Sequence, residues 1–298
     1  MNNGSSLGRE ALERTITLRD SRRLSFAEYG PTEGRPVFYF HGWPSSRLEA
    51  RITRDMASEM NLRIIAPDRP GYGLSDFQPH RAIIDWAADV GDLADHLNIN
   101  RFTVLGISGG GPYAAVCAAG LAGRVHNLLL VCSMGPTDSP EAIAGMVALN
   151  RYLLTFARNV PWLAQRVAGL CLSALWGTGD QVIPEQIETC LPERDRLALA
   201  DSELRRLLTE SSREGLRSGT EGAAWDGFLF SRPWGFDLRS IRIPTLLWHG
   251  EQDVVVPSSM GHFLADTIPE CQARFYPEDG HFSLPFNRMR EILAAALR

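Results

Sequence analysis

Ser108 lies in the run FTVLGISGGGPY, residues 102–113, where an apolar segment meets three consecutive glycines and then an Ala-rich stretch. A serine hydroxyl becomes a useful nucleophile only when a base takes its proton. Gly106 and Gly110 stand two residues to either side of Ser108. That spacing fits a strand turning sharply into a helix, with the serine held strained at the bend and no room for a Cβ at its flanks. The N-terminus of the helix adds positive potential where an oxyanion would form. A dinucleotide-binding turn would want glycine in place of Ser108, and no Walker lysine follows.

Such a serine needs a base and an orienting acid, and with this motif both follow it in the chain, acid before histidine. His126, His249, His262 and His281 follow Ser108. His126 and His249 fall in strand-like runs, and His262 falls in a helical one. His281 closes the polar turn PEDGH, between a strand-like run and the final helical one, where a base at a sheet edge is expected. Asp253 in LLWHGEQD follows an apolar strand and a Gly turn, so it is the expected acid. Its competitor is Asp138, which stands where the strand pattern lapses and reads better as the cap of a following helix. The segment FYFHGWP puts a His-Gly turn after a third strand-like run. The backbone N–H groups of Trp43 and Gly109 are the expected oxyanion donors, because Pro44 has none to give. His41 is expected to shape the loop by hydrogen bonding.

Taken in order, HGWP, GISGGG, HGEQD and DGH resemble the motifs of the α/β-hydrolase superfamily. The stretch APDRPGYGLS, residues 66–75, resembles the loop after that superfamily's next strand. The resemblance implies a serine-nucleophile, esterase-like enzyme with Ser108, Asp253 and His281 as its triad. Haloalkane dehalogenases and epoxide hydrolases of this fold use an aspartate where Ser108 stands. A dehalogenase also commonly has Trp next to that nucleophile, where this chain has Gly109. Hydrolysis of carboxylic esters or lactones through an acyl-enzyme is therefore the expected reaction, with no metal and no organic cofactor. C–C bond hydrolases, acyltransferases and non-hydrolytic small-molecule binders of the same fold stay open as alternatives.

These residues need a scaffold, and the chain supplies an alternating one. Eight short apolar runs, at 15–18, 24–29, 36–40, 62–66, 102–107, 125–132, 245–249 and 273–276, alternate with helical patterns. That is the pattern of an α/β fold with a mainly parallel sheet. Ile83, Ala87, Val90, Ala94 and Leu97 recur at helical spacing, with Asp85, Asp89, Asp92 and Asp95 expected on other faces. Residues 135–240 lose the strand rhythm, become Leu-, Ala- and Arg-rich, and hold four of the seven tryptophans. The expected division is a core at 1–134, a helical cap at 135–240 and the rest of the core at 241–298. The cap is expected to supply an apolar pocket for a small-molecule ester.

The chain has 298 residues and a formal net charge of −5, which argues against a nucleic-acid partner. No apolar stretch is long enough to span a membrane, and residues 1–10 show no secretory signal and read as a frayed lead. Cys117, Cys132, Cys171, Cys190 and Cys271 form no CxxC pair and are expected to be reduced and mostly buried, as in a cytoplasmic protein.

Overall fold

The computed structural model describes residues 12–137, 140–160, 167, 169–170 and 185–298. Eight strands form one sheet: β1 (Leu12–Thr17), β2 (Arg23–Tyr29), β3 (Arg35–Phe40), β4 (Leu62–Pro67), β5 (Phe102–Ile107), β6 (Val125–Val131), β7 (Thr245–Gly250) and β8 (Cys271–Tyr276). Their order is β1-β2-β4-β3-β5-β6-β7-β8. β2 runs antiparallel to both β1 and β4, and every other neighbouring pair is parallel. All eight apolar runs of the sequence lie within these strands, save for a residue or so at two ends.

Side chains alternate across the sheet because successive Cβ atoms of a strand point to opposite faces. Phe102, Val104, Leu128, Leu130 and Leu247 enter one core, covered by α2 (Trp86–His96), α3 (Gly111–Gly120) and α10 (Ser258–Thr267). Leu105, Ile107, Leu129, Val131 and Trp248 enter the other, covered by α1 (Arg54–Glu59) and α11 (Ser283–Ala295). Both faces are closed, which is why β5 and β6 read as nearly unbroken apolar runs.

Between β6 and β7 the described residues form helices and turns but no strand: α4 (Pro140–Ile143), α5 (Ala148–Asn159), α6 (Glu185–Glu188), α7 (Glu193–Ala200), α8 (Ser202–Gly215) and α9 (Glu221–Phe230). Asp138, Cys171, Trp162, Trp176 and the N-terminal lead lie outside the described residues. No described helix is long and apolar enough to cross a membrane. Cys117 and Cys132 are buried free thiols, whereas Cys190 is exposed and Cys271 partly so, against the expectation of general burial.

The structure also corrects the reading of the helix near residue 90. Asp89 sits on its buried side, 4% exposed, where Arg22 donates to both carboxylate oxygens. Helical spacing marks a charged residue as solvent-facing unless a distant cation reaches it, and Arg22 is 67 residues away. Asp89→Ala is expected to cost about 1–3 kcal/mol in urea unfolding, because it leaves a largely buried guanidinium without its main partner. Asp92→Ala should cost within about 1 kcal/mol, since its partner Arg19 is exposed to solvent.

Candidate active site

β5 and α3 cross closely at the carboxyl edge of the sheet. A Cβ on Gly106 would lie 2.6 Å from the Gly110 carbonyl oxygen, and one on Gly110 would lie 2.1 Å from that of Phe40. Between them Ser108 takes φ +54°, the left-handed region that an L-residue occupies only when its surroundings enforce it. The Ser108 carbonyl accepts from Met134 N–H at 3.1 Å, which ties the bend to the chain leaving β6.

His281 stands between Ser108 and Asp253. Its Nε2 is 3.0 Å from Ser108 Oγ, and its Nδ1 is 2.7 Å from Asp253 Oδ2. The other carboxylate oxygen, Oδ1, accepts from the backbone N–H groups of Val255 at 2.9 Å and Val256 at 2.8 Å. The turn that follows β7 therefore fixes the carboxylate and leaves one oxygen for the imidazole. Glu251 N–H donates to Tyr276 O and Gln252 N–H to Asp279 O, joining the acid loop to the histidine loop. Burial alone would push the His281 imidazole down. The Asp253 carboxylate outweighs it, with Asp195 and Glu49 adding to the effect, so His281 titrates above its ordinary 6.5.

Trp43 and Gly109 adjoin the serine. A Cβ on Gly109 would lie 2.9 Å from Trp43 Cβ, and one on Gly42 would lie 3.6 Å from Ser108 Cβ. The other histidines sit elsewhere or do other work. His41 is fully buried, with Nδ1 2.9 Å from the Gly42 carbonyl. His249 is buried with Nε2 on Val256 O, and burial pushes its pKa down. His262 is half-exposed and stacks on Phe275, while His126 is exposed on β6.

One trio of metal-ligating residue types gathers among the described residues: Cys132, Asp253 and His281, within 4.8 Å of one another. Asp253 and His281 already face each other in a hydrogen bond, and burial with Asp253 nearby pushes the Cys132 thiol far up. The donor set suits a proton relay better than a cation.

Sequence reasoning did not find three carboxylates that hold this site. Asp195, fully buried on α7, accepts from the backbone N–H groups of His281 at 2.8 Å, Phe282 at 3.1 Å and Ser283 at 2.9 Å. It also accepts from the Ser283 hydroxyl, so it caps α11 from a helix 86 residues upstream of His281. Glu49 accepts the Gly42 N–H and the Tyr39 hydroxyl beside the oxyanion loop. Asp226 on α9 pairs with Arg69. The cavity in front of Ser108 and His281 is lined by apolar side chains including Leu204, Leu208, Val255 and Phe282.

The chain belongs to the α/β hydrolase fold family, whose pattern matches residues 35–287. It is 25% identical over 280 residues to a non-heme haloperoxidase of Rhodococcus erythropolis, covering 89% of this chain and 92% of that one. Its fold is similar to that of a thermophilic esterase from Thermogutta terrifontis, with TM-score 0.69, 24% identity and coverage of 97% and 98%. An esterase from Rhodococcus sp. ECU1013 matches with TM-score 0.66, 24% identity and coverage of 95% and 97%.

Two outcomes follow from this geometry. A base must be neutral to take a proton, and His281 holds its proton to higher pH than a free imidazole. On any substrate the protein turns over, kcat/KM should rise with pH through a midpoint above 6.5, measured from about pH 5 to 9; a midpoint well below 6.5 contradicts the assignment. Asp195→Ala strips three N–H groups of their acceptor, and should cost about 1–3 kcal/mol in urea unfolding. The same variant should lower kcat about 10-fold by loosening the histidine loop.

Proposed function

We propose that this protein is a serine hydrolase that cleaves carboxylic esters, lactones among them, through an acyl-enzyme. The observation that carries the reading is the hydrogen-bonded chain Ser108–His281–Asp253, set on a strained strand-to-helix bend and opening on an apolar cavity. Esterases among the structural neighbours are consistent with it.

In this reading Ser108 Oγ attacks the ester carbonyl while His281 Nε2 takes its proton. The carbonyl electron pair moves onto oxygen, where the N–H groups of Trp43 and Gly109 receive the charge. Collapse of the tetrahedral intermediate expels the alcohol, which leaves with the proton held by His281. Water then attacks the acyl-enzyme and gives its proton to His281. Ser108 recovers that proton as the acid departs. Asp253 holds the imidazole with Nδ1 protonated and stabilises the imidazolium that forms.

Within residues 135–240, the described helices act as a cap over the cavity. Asn150, Ile187, Leu204, Leu207 and Leu208 come from that stretch, so it shapes the space left for the acyl or alcohol group. An apolar wall with few polar groups favours a hydrocarbon-rich ester over a charged one.

A serine-directed phosphonate should label Ser108, and Ser108→Ala should lose both the label and about 10³-fold or more of p-nitrophenyl butyrate turnover. Asp253→Asn should lower kcat by about 10²–10⁴-fold with the fold retained. Ester turnover that survives in Ser108→Ala overturns the reading. Cleavage of diketones without any ester turnover assigns the same triad to C–C hydrolysis.

A further inference from the structure

Gly42 is held on both sides by charged residues. Its N–H donates to both oxygens of the Glu49 carboxylate, at 3.1 and 3.0 Å. Its carbonyl accepts from His41 Nδ1 at 2.9 Å and from Arg69 Nη2 at 2.9 Å. Arg69 Nη1 donates to the preceding carbonyl, that of His41. The Gly42–Trp43 bond is trans, unlike Trp43–Pro44, so its C=O and N–H point in opposite directions. A cation seated on the carbonyl therefore turns the Trp43 N–H away from itself, and drains electron density from that N–H.

Arg69 does not stand alone. Its Nε donates to Asp226 Oδ2 at 2.8 Å, and its guanidinium lies over the rings of Tyr72 and Tyr113, 4.9 and 4.8 Å from their centroids. Asp226 also accepts from the hydroxyls of Tyr72 and Tyr113 and from Arg81. Arg69, Asp226, Tyr72 and Tyr113 are wholly buried and Arg81 nearly so. Arg69 and Arg81 share the Asp226 carboxylate on the carbonyl side of Gly42, and the Glu49 carboxylate stands on its amide side, so opposite charges flank the loop in a medium that screens them weakly. Burial would raise the Asp226 carboxyl, but Arg81 and Arg69 outweigh it and hold it at about 2. His41 is pushed well down by its burial and then by Arg69, so it stays neutral. Its Nε2 accepts the Arg69 backbone N–H at 3.4 Å, which leaves Nδ1 as the donor to Gly42.

We propose that Arg69, locked against Asp226 of α9, is a positioning residue that orients and polarises the Gly42–Trp43 peptide, so that this buried ion pair sets the strength of the oxyanion site. The proposal rests on the ester-hydrolase reading, in which Trp43 N–H receives the oxyanion. It adds that α9, whose Ala223 carbonyl also accepts from Trp43 Nε1 at 2.8 Å, acts on the oxyanion site through the charge of Asp226 as well as through contact. A pair that only stabilised the fold would protect the ground state and the transition state alike. A pair that tunes the N–H acts where negative charge builds on oxygen.

The test compares two ligands of one shape. A trifluoromethyl ketone adds to Ser108 and places an oxyanion at the site, whereas the corresponding methyl ketone stays a neutral carbonyl. Arg69→Lys keeps the charge but cannot reach Asp226 and both carbonyls together. It should lower kcat on p-nitrophenyl butyrate by about 10–100-fold with KM nearly unchanged. Its affinity for the trifluoromethyl ketone should fall by the same factor, and methyl ketone binding should hold. Tyr72→Phe keeps every charge and removes one donor to Asp226, so it should show the same selective loss at about 2–5-fold. If Arg69→Lys does not fold, Tyr72→Phe decides the matter alone. Equal losses for both ketones, or none for either, make the pair purely structural and overturn the proposal. Wild-type protein that neither takes the phosphonate on Ser108 nor binds the trifluoromethyl ketone overturns the hydrolase reading first, and this proposal with it.

Discussion

The close crossing of β5 and α3 is the constraint on which the carboxyl edge of the sheet depends. Gly106 lets β5 meet the Gly110 carbonyl there, Gly110 lets the bend meet the end of β3, and the serine between them is forced into a left-handed turn that costs on the order of 1–2 kcal/mol. That cost is tolerable because both sheet faces are sealed by apolar cores, and the strand entering the bend is buried along its whole length. With the serine raised, the ends of β3, β7 and β8 need only short loops to bring a His-Gly turn, an acid and a base around it. The sheet order places β3 directly beside β5 and carries β7 and β8 on its far side, beyond β6.

The helices between β6 and β7 do more than add surface. Asp195 from α7 fixes the backbone of the histidine loop, and Asp226 from α9 fixes the arginine behind the His-Gly turn. Each carboxylate is buried and accepts four hydrogen bonds, and Asp226 is in addition paired with two arginines. The two sides of the candidate site, the His281 loop and the His-Gly turn facing Ser108, are both braced from outside the sheet. Ser211 on α8 makes a third brace, bonding to Ser45 and Ser46 after the His-Gly turn.

The sheet was legible in the sequence because its information is local. A strand covered on both faces must be apolar almost throughout, and the turns beside it carry glycine, proline and aspartate for their own backbone reasons. The candidates Ser108, Asp253 and His281 could be singled out for the same reason, since each stands just past a strand in a recognisable turn, and the structure brings the three together. Asp195 and Asp226 were not. Asp195 is flanked by arginines that mark it as solvent-facing, Asp226 is a lone acid among apolar neighbours with no local cation to pair it, and their partners lie 86 and 157 residues away. Asp89 misled in the same manner: its periodicity pointed outward, and only the distant Arg22 explains its burial. Glu49 stood within sight of the His-Gly motif, but nothing in its spacing showed that a 3₁₀ turn would fold it back onto Gly42.

The capping of α11 by Asp195 bears on how such a protein can change its substrate over evolutionary time. Exchanging the segment between β6 and β7 for a foreign one looks like a change of pocket wall alone. In this chain the exchange would also remove the acceptor for three amide groups at the start of the last helix and the counter-ion of two sealed arginines. A transplanted segment would have to bring carboxylates to the same two places, or arrive with compensating changes in the core. Replacing that segment would therefore disturb the histidine loop and the His-Gly turn together, whereas point substitutions along the apolar wall of the cavity would leave both supports in place.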